Sequence, residues 1–199
     1  SSPFTFIWTN VPAGAHVISA VARDNDGLIG VSTDVKFTVN SGNISKITLV
    51  PAGSTWKYLD NRTDQDAAWS GTNFNDFSWT NGPAQLGYGE GDEARVIGYG
   101  GIPANKYITT YFRKTFTVTD LGLVTDLVLQ LLIDDGAVVY VNGTEAFRAN
   151  LPAGAITYTT PASAAWENNS VRATLDKSLL VTGINLIAVE VHQRTADSS

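Results

Sequence analysis

Hydrophobic and polar residues alternate along most of this chain, and stripes with the 3.6-residue period of a helix are almost absent. A period of two places successive side chains on opposite faces of a strand, so the pattern predicts an all-β protein. Residues 60–106 are different, because they are rich in Asp, Asn, Gly and aromatic residues. A loop region this long is usually functional, or is held together by its own side chains and bound ions.

The predicted strands fall into two groups. Three lie before residue 40, at 5–8, 16–21 and 35–39, and the others lie at 47–50, 56–59, 108–118, 127–133, 138–141, 145–148, 155–159, 171–174 and 185–191. Asn142-Gly143 is the strongest hairpin signal, because a type I′ turn needs positive φ at both positions. Residues 176–180 are predicted to form one helical turn.

The first group of strands is separated from the rest by a short polar linker at residues 41–46. Residues 1–40 contain TNVPAGAHVISAVARDNDG and VKFTVN, and through these runs they resemble the C-terminal half of a bacterial immunoglobulin-like repeat. Half of a sandwich leaves strand edges and an apolar face uncovered. We therefore expect this segment to pack on the main domain, to pair with another copy through its open edges, or to be poorly ordered.

Residues 47–199 contain the runs WKYLDNRTDQDAAWSGTNFNDFSW, YFRKTFTV, IDDGAVVYVNGTEAFR and GINLIAVEVHQ. Through them this part resembles the galactose-binding-like jelly roll found beside glycoside hydrolase catalytic domains, especially the sugar-binding domain of family 2. Through GPAQLGYGEGDEARVIGYG it is also similar to modules of secreted bacterial phosphoesterases, lamin-tail proteins and polysaccharide-degrading enzymes. The resemblance implies a jelly-roll β-sandwich, a fold that serves sugar binders, other binders and spacers.

The composition narrows the class of partner. A formal net charge of -6 and a pI near 4.7 disfavour nucleic acid and anionic membranes, so neutral partners fit better. The absence of cysteine excludes disulfides, thiolate metal sites and a cysteine nucleophile. Together with the resemblance, these features predict a part of a larger secreted, extracellular bacterial protein.

A candidate metal site lies after the strand predicted at 56–59. Asp60, Asp64 and Asp66, with Asn61 between them, are closely spaced oxygen donors of the kind that Ca²⁺ requires. The alternative is that these side chains cap and close turns. Calcium, if bound, would have a structural role in crosslinking the long loop.

A second candidate site is the glycine- and tyrosine-rich part of the loop region. Glycines let a backbone approach a ligand, and the rings of Tyr88 and Tyr99 offer flat faces on which a sugar can stack. Glu90, Asp92 and Glu93 add carboxylates that accept hydrogen bonds from sugar hydroxyls. The alternative is an irregular loop fixed by its own tyrosines.

Two further sets of polar residues lie on the predicted strands. Asp134 and Asp135 end one strand just before a hairpin, where they either bind a ligand or close a turn. Alternation places Arg113, Glu190 and His192 opposite the apolar faces of their strands, so they converge with Asp134 if those strands are neighbours. Such a cluster is either a salt-bridged sheet face or a shallow binding face.

The tryptophans divide by their surroundings. Trp166 lies in the polar run AAWENN and is the best candidate for an exposed stacking residue. Trp56, Trp69 and Trp79 lie in patterned sequence and are expected in the core.

The evidence for catalysis is weak. Carboxylate pairs are abundant in any acidic chain, no nucleophile-elbow pattern is present, and two histidines are too few for a typical zinc site. The sequence therefore favours a non-catalytic module that binds a polysaccharide or oligosaccharide. A structural spacer or protein-docking module is the alternative.

Overall fold

The computed structural model describes residues 5–39 and 46–198 and divides the chain into two units, residues 1–47 and 48–199. The predicted linker at 41–46 lies outside the described residues except for Lys46. The strands of the first unit are β1 (Gly14–Ile18), β2 (Val21–Arg23), β3 (Ile29–Val31) and β4 (Val35–Val39).

The first unit consists of antiparallel pairs, β1 with β4 and β2 with β3. The tip between β2 and β3 is closed by Asp24, whose Oδ1 accepts the backbone N–H groups of Asp26 and Leu28. At the other end, the rings of Trp8, His16 and Phe37 pack together with centroids 5.2–6.4 Å apart. These local contacts order the pairs without a second layer.

Many apolar side chains of the first unit are exposed to solvent. Val21 and Val31, which are register partners, are 65% and 63% exposed. A two-stranded ribbon is marginally stable on its own in water. How this segment covers its apolar side chains and its open edges, including by self-association, stays a prediction.

The regular elements described in the second unit are ten strands and three single-turn 3₁₀ helices at Ala68–Ser70, Leu121–Leu123 and Lys177–Leu179, joined by loops. Its strands are β5 (Thr55–Leu59), β6 (Thr80–Pro83), β7 (Leu86–Gly87), β8 (Arg95–Val96), β9 (Thr109–Val118), β10 (Leu127–Ile133), β11 (Gly136–Val141), β12 (Thr144–Ala149), β13 (Asn169–Leu175) and β14 (Gly183–His192).

The main sheet has the order β12-β11-β14-β9-β5-β6, with antiparallel pairing throughout. A smaller antiparallel pair, β10 with β13, packs on one face of it. Alternation on β9 directs Phe112, Phe116 and Val118 into the core between these layers, where they join Leu129 and Ile133 of β10. Each such side chain contributes about 1.5–3 kcal/mol when fully buried, so this core stabilises the sandwich.

The all-β prediction is confirmed, and most predicted strands match observed ones within two residues. Asn142 and Gly143 have φ of 52° and 88°, as the hairpin prediction requires. The strands predicted at 5–8, 47–50 and 155–159 are wrong, and the last is a turn in which Thr160 N–H donates to the carbonyl of Thr157. The immunoglobulin-like and jelly-roll assignments stay predictions. No helix among residues 5–39 and 46–198 is long and apolar enough to cross a membrane.

Candidate functional site

The face of the main sheet that points away from the sandwich core is covered by residues 60–79, which we call the long loop. Trp69 and Trp79 of this loop are only 3% and 5% exposed. Their rings lie 4.7 Å and 6.3 Å from the ring of Tyr111 on β9. The core positions expected for both tryptophans are confirmed. The loop thus forms a second apolar cluster, which explains how so long a segment is ordered.

Arg113 is the polar centre under the long loop. Its Nη1 donates to the carbonyl oxygens of Trp69 and Gly71, and its Nε lies 2.8 Å from Asp76 Oδ2. The guanidinium also lies 5.2 Å from the centroid of the Phe74 ring. With 3% exposure, Arg113 holds the loop onto the sheet, which contradicts its prediction as part of an open binding face.

Glu190 and His192 are also buried on this face, at 5% and 0% exposure. Glu190 Oε1 accepts the Tyr140 hydroxyl at 2.7 Å, and Glu190 Oε2 lies 3.3 Å from His192 Nε2. His192 Nδ1 lies within 3.0 Å of Thr109 Oγ1. These bonds stay within the fold, so direct ligand contact by Glu190 and His192 is contradicted. Alternation placed them on the correct face but could not show that the long loop covers it.

The glycine- and tyrosine-rich segments pack against the sandwich core through Tyr88 and Tyr99, away from the apolar cluster of the long loop. The rings of Tyr88 and Tyr99 are 5.0 Å apart, with Lys106 Nζ 5.3 Å and 5.7 Å from their centroids. Tyr88 is 8% exposed, and burial followed by the charge of Asp134 raises the pKa of its hydroxyl. Its ring is therefore unavailable for stacking, contrary to the prediction, whereas Tyr99 is half-buried.

Carboxylates from three segments meet near these tyrosines. Oxygen atoms of Glu90, Asp134 and Glu167 lie within 4.8 Å of one another, and those of Glu90, Asp92 and Glu93 form a second group. The structure therefore brings together two segments that the sequence analysis proposed separately, residues 87–93 and the aspartate pair at the end of β10. We call these carboxylates the acidic rim.

Asp135 and Trp166, both predicted to bind a ligand, serve the fold at this rim. Asp135 is fully buried, and its carboxylate accepts the N–H groups of Trp166 and Arg194, each at 2.6 Å, and the Ser198 hydroxyl at 2.8 Å. Trp166 is half-buried and packs against the sandwich core rather than standing free. Burial contradicts the predicted contact of Asp135, and Trp166 is not the exposed ring that was expected.

The carboxyl group of Asp134 has a pKa well above that of an ordinary aspartate. Burial, followed by repulsion from Asp135 and Glu167, raises its pKa from 3.8 to about 7. Its Oδ1 is buried and has no hydrogen-bond partner among the described residues. The ionised form is therefore disfavoured in the folded state.

This pKa predicts a pH-dependent stability. Between about pH 4 and pH 7 the folded chain keeps a proton that the unfolded chain releases, so the free energy of unfolding falls as pH rises through this window. Asp134→Asn should remove that slope and stabilise the protein at pH 8 by about 1–2 kcal/mol after solvent screening. Urea unfolding at pH 5 and pH 8 measures the change in the free energy of unfolding between these two values. The exposed Asp126→Asn should keep the wild-type slope, and an unchanged slope in Asp134→Asn would contradict the assignment.

The predicted metal residues do not form a site together. Asp60 Oδ2 accepts the Gly98 N–H, and Asp64 Oδ1 accepts the Asp66 N–H at 3.1 Å. Within the described part of the chain, the carboxylate groups close enough to share an ion are those of the acidic rim. Asp64 thus closes a turn, as the alternative predicted, whereas Asp60 links the end of β5 to the distant residue Gly98. Calcium itself stays a prediction, which the same urea experiment repeated with CaCl₂ tests.

An open cavity of about 480 Å³, which no sequence pattern predicted, lies on the outside of the long loop. This volume is within the range of small-ligand sites, about 300–1,000 Å³. We call it the loop cavity. It is lined by Ala68, Gly71, Thr72, Asn73, Phe74, Asn75 and Asn142.

Several groups at the loop cavity are not used by the fold. The side chains of Thr72 and Asn73 are exposed and make no hydrogen bond within the described residues, and Asn75 uses only its Oδ1, which accepts the Phe77 N–H at 3.0 Å. Phe77 is 89% exposed. The mixture of polar and aromatic residues in the run GTNFNDF is the signal in the sequence that could have indicated this cavity.

Neither a protein-family model nor a curated protein matches this chain. Among solved structures it is similar to Bacteroides uniformis β-glucuronidase, with 17% identity over 74% of this chain and 15% of that one and a TM-score of 0.47. It is also similar to a β-glucuronidase of an uncultured Clostridium sp., with 14% identity over 95% of this chain and 24% of that one and a TM-score of 0.44. A β-glycosidase from Bacteroides vulgatus shares 18% identity over 72% of this chain and 17% of that one, with a TM-score of 0.45. The chain spans less than a quarter of the length of each of these proteins.

Proposed function

We propose that the second unit is a non-catalytic module that binds a polysaccharide or oligosaccharide at the loop cavity. The observation that carries the proposal is the combination of this 480 Å³ cavity with unused hydroxyl and amide groups and the exposed ring of Phe77, which lies two positions after the lining residue Asn75 in the sequence. Sugar rings present apolar C–H faces to aromatic side chains and hydroxyls to amides, so the cavity offers both kinds of contact.

The construction of the long loop supports a binding role. Beneath the cavity, Phe74 packs against Trp79 and the guanidinium of Arg113, and Gly71 is held through its carbonyl oxygen. A lining anchored in this way loses little conformational entropy when a ligand binds, which favours affinity.

The non-catalytic role is supported by the burial of Glu190 and His192. Both could serve as acid or base, but both are buried and bond to neighbours inside the fold, Glu190 to Tyr140 and His192 to Thr109. General acid–base catalysis needs a group within hydrogen-bond reach of the substrate. Attachment to a larger secreted bacterial polysaccharide-degrading enzyme follows from the resemblance of residues 47–199 and stays a prediction.

Affinity gel electrophoresis of the full chain against a panel of neutral and acidic polysaccharides tests the proposal. We expect at least one polymer to retard the protein, and Phe77→Ala to weaken that retardation about tenfold, since an aromatic contact contributes about 1–1.5 kcal/mol. At 89% exposure Phe77 contributes little to stability, so Phe77→Ala should unfold like wild type.

Leu123→Ala, which removes another exposed apolar side chain away from the cavity lining, is the matched control and should bind like wild type. The exposed apolar strands of the first unit favour the alternative, a spacer or protein-docking module. That alternative is supported, and carbohydrate binding contradicted, if no polymer of a broad panel retards the protein.

A further inference from the structure

We propose that a second cavity, lined by Asp76 and by residues of three strands of the main sheet, binds the carboxylate of an acidic sugar residue. The inference rests on the proposed function and names its substrate class, an acidic polysaccharide. The second cavity, which we call the basic cavity, measures about 180 Å³. It is lined by Thr55, Lys57, Asp76, Asn81, Arg113, Lys114 and Thr115.

The basic cavity lies across three neighbouring strands of the main sheet. Lys57 on β5 is the register partner of both Asn81 on β6 and Arg113 on β9, so these residues form one row. The pairing of β5 with β9 extends from Leu59 to Lys57, and the cavity lies where it ends, beside Lys114. The position of this concavity is therefore fixed by the sheet and not by a mobile loop.

The charge of the basic cavity is opposite to that of the chain. Lys57 and Arg113 are like charges on directly paired positions, an arrangement that is unfavourable without a counter-ion. Asp76 lies between them, 2.8 Å from Lys57 Nζ and 2.8 Å from Arg113 Nε. Burial alone would raise the pKa of Asp76, but the hydrogen bonds from Arg113 and Lys57 outweigh it and keep the pKa low. With Lys114 included, the lining has a formal charge of +2 on a chain of net charge -6.

The lining also retains donors that the fold does not use. The side chains of Asn81 and Thr115 are exposed and make no hydrogen bond within the described residues. At about 30 Å³ per water molecule, the cavity holds about six waters, which is space for a carboxylate and part of the ring that bears it.

The two cavities are placed to bind one chain. Phe74 and Asn75 line the loop cavity, and the next residue, Asp76, lines the basic cavity. A saccharide that stacks at Phe77 thus has a cationic site within a few residues. An acidic peptide would also satisfy the charge, but the unused amides and hydroxyls around both cavities favour a ligand rich in hydroxyl groups.

The experiment compares polygalacturonate and alginate with their carboxyl-reduced forms, which keep the linkage and lose the charge. We expect the full chain to be retarded more strongly by an acidic polymer than by its reduced form, and this difference to shrink as NaCl increases. Lys114→Gln should weaken binding of the acidic polymer about tenfold, the value of one charge-assisted hydrogen bond, and leave binding of neutral polymers unchanged.

Lys177→Gln is the matched control, because Lys177 Nζ donates to one backbone carbonyl at 2.9 Å, as Lys114 Nζ does, and lies outside both cavities. Retardation by neutral polymers alone overturns the basic cavity but not the proposed function, whereas no retardation by any polymer overturns both. Equal retardation in poly-glutamate gels, with the same loss in Lys114→Gln, overturns the assignment to a saccharide.

Discussion

Arg113→Met should lower the free energy of unfolding by about 3–5 kcal/mol, because it removes a buried cation whose partners stay behind. The carbonyl oxygens of Trp69 and Gly71 would lose their donor, and Asp76 would keep only Lys57. Urea unfolding followed by near-ultraviolet circular dichroism measures the loss.

The same substitution should release the long loop from the sheet. Trp69 and Trp79, which belong to this loop and are buried against the sheet, should then show fluorescence shifted to longer wavelength. Arg172→Met removes an exposed arginine from β13 and should change stability by less than about 0.5 kcal/mol. If Arg113→Met were as stable as Arg172→Met, Arg113 would not anchor the loop.

Asp135→Ala is expected to be similarly damaging, at about 3–5 kcal/mol. This fully buried carboxylate accepts three hydrogen bonds, and bonds to a charged group contribute about 1.5–3 kcal/mol each. The donors lie in the segment before β13 and in the segment after β14, so Asp135 joins two parts of the chain to the end of β10. Thermal unfolding of the full chain measures the effect.

Asp135→Asn keeps the size of the side chain and removes its charge, so it shows how much of the stability loss in Asp135→Ala is due to the charge. An amide can accept only through its oxygen, so Asp135→Asn should recover part of the loss but remain below wild type. Asp126→Asn, an exposed change of the same kind, should match wild type. A wild-type melting temperature for Asp135→Ala would contradict this structural role of the carboxylate.

Local patterns in the sequence predicted the strands well. The alternation from Thr109 to Val118 located β9 and assigned its two faces, because neighbours along a strand necessarily point in opposite directions. Asn142-Gly143 located a turn for an equally local reason. Such features depend on a few consecutive residues.

The candidate site could be predicted only in part, because it depends on contacts between distant segments. Nothing near Glu190 in the sequence shows that residues 60–79 fold back over it, and so an expected open face became a buried one. Aspartates 60, 64 and 66 are close in sequence, but each bonds to a backbone N–H or lies in a turn. The net charge of -6 likewise gave no indication of a cationic cavity, because its lining comes from β5, β6, β9 and the long loop, which are distant in sequence.

The location of the ligand is the central claim, and amide chemical-shift mapping tests it most directly. The labelled chain is titrated with an oligosaccharide cut from the polymer that retards it best. The largest shifts are predicted at Gly71–Phe77 and at Asn142, with residues 87–93 and Asp134 little changed. Shifts concentrated at the acidic rim, with none between Gly71 and Phe77, would contradict the account.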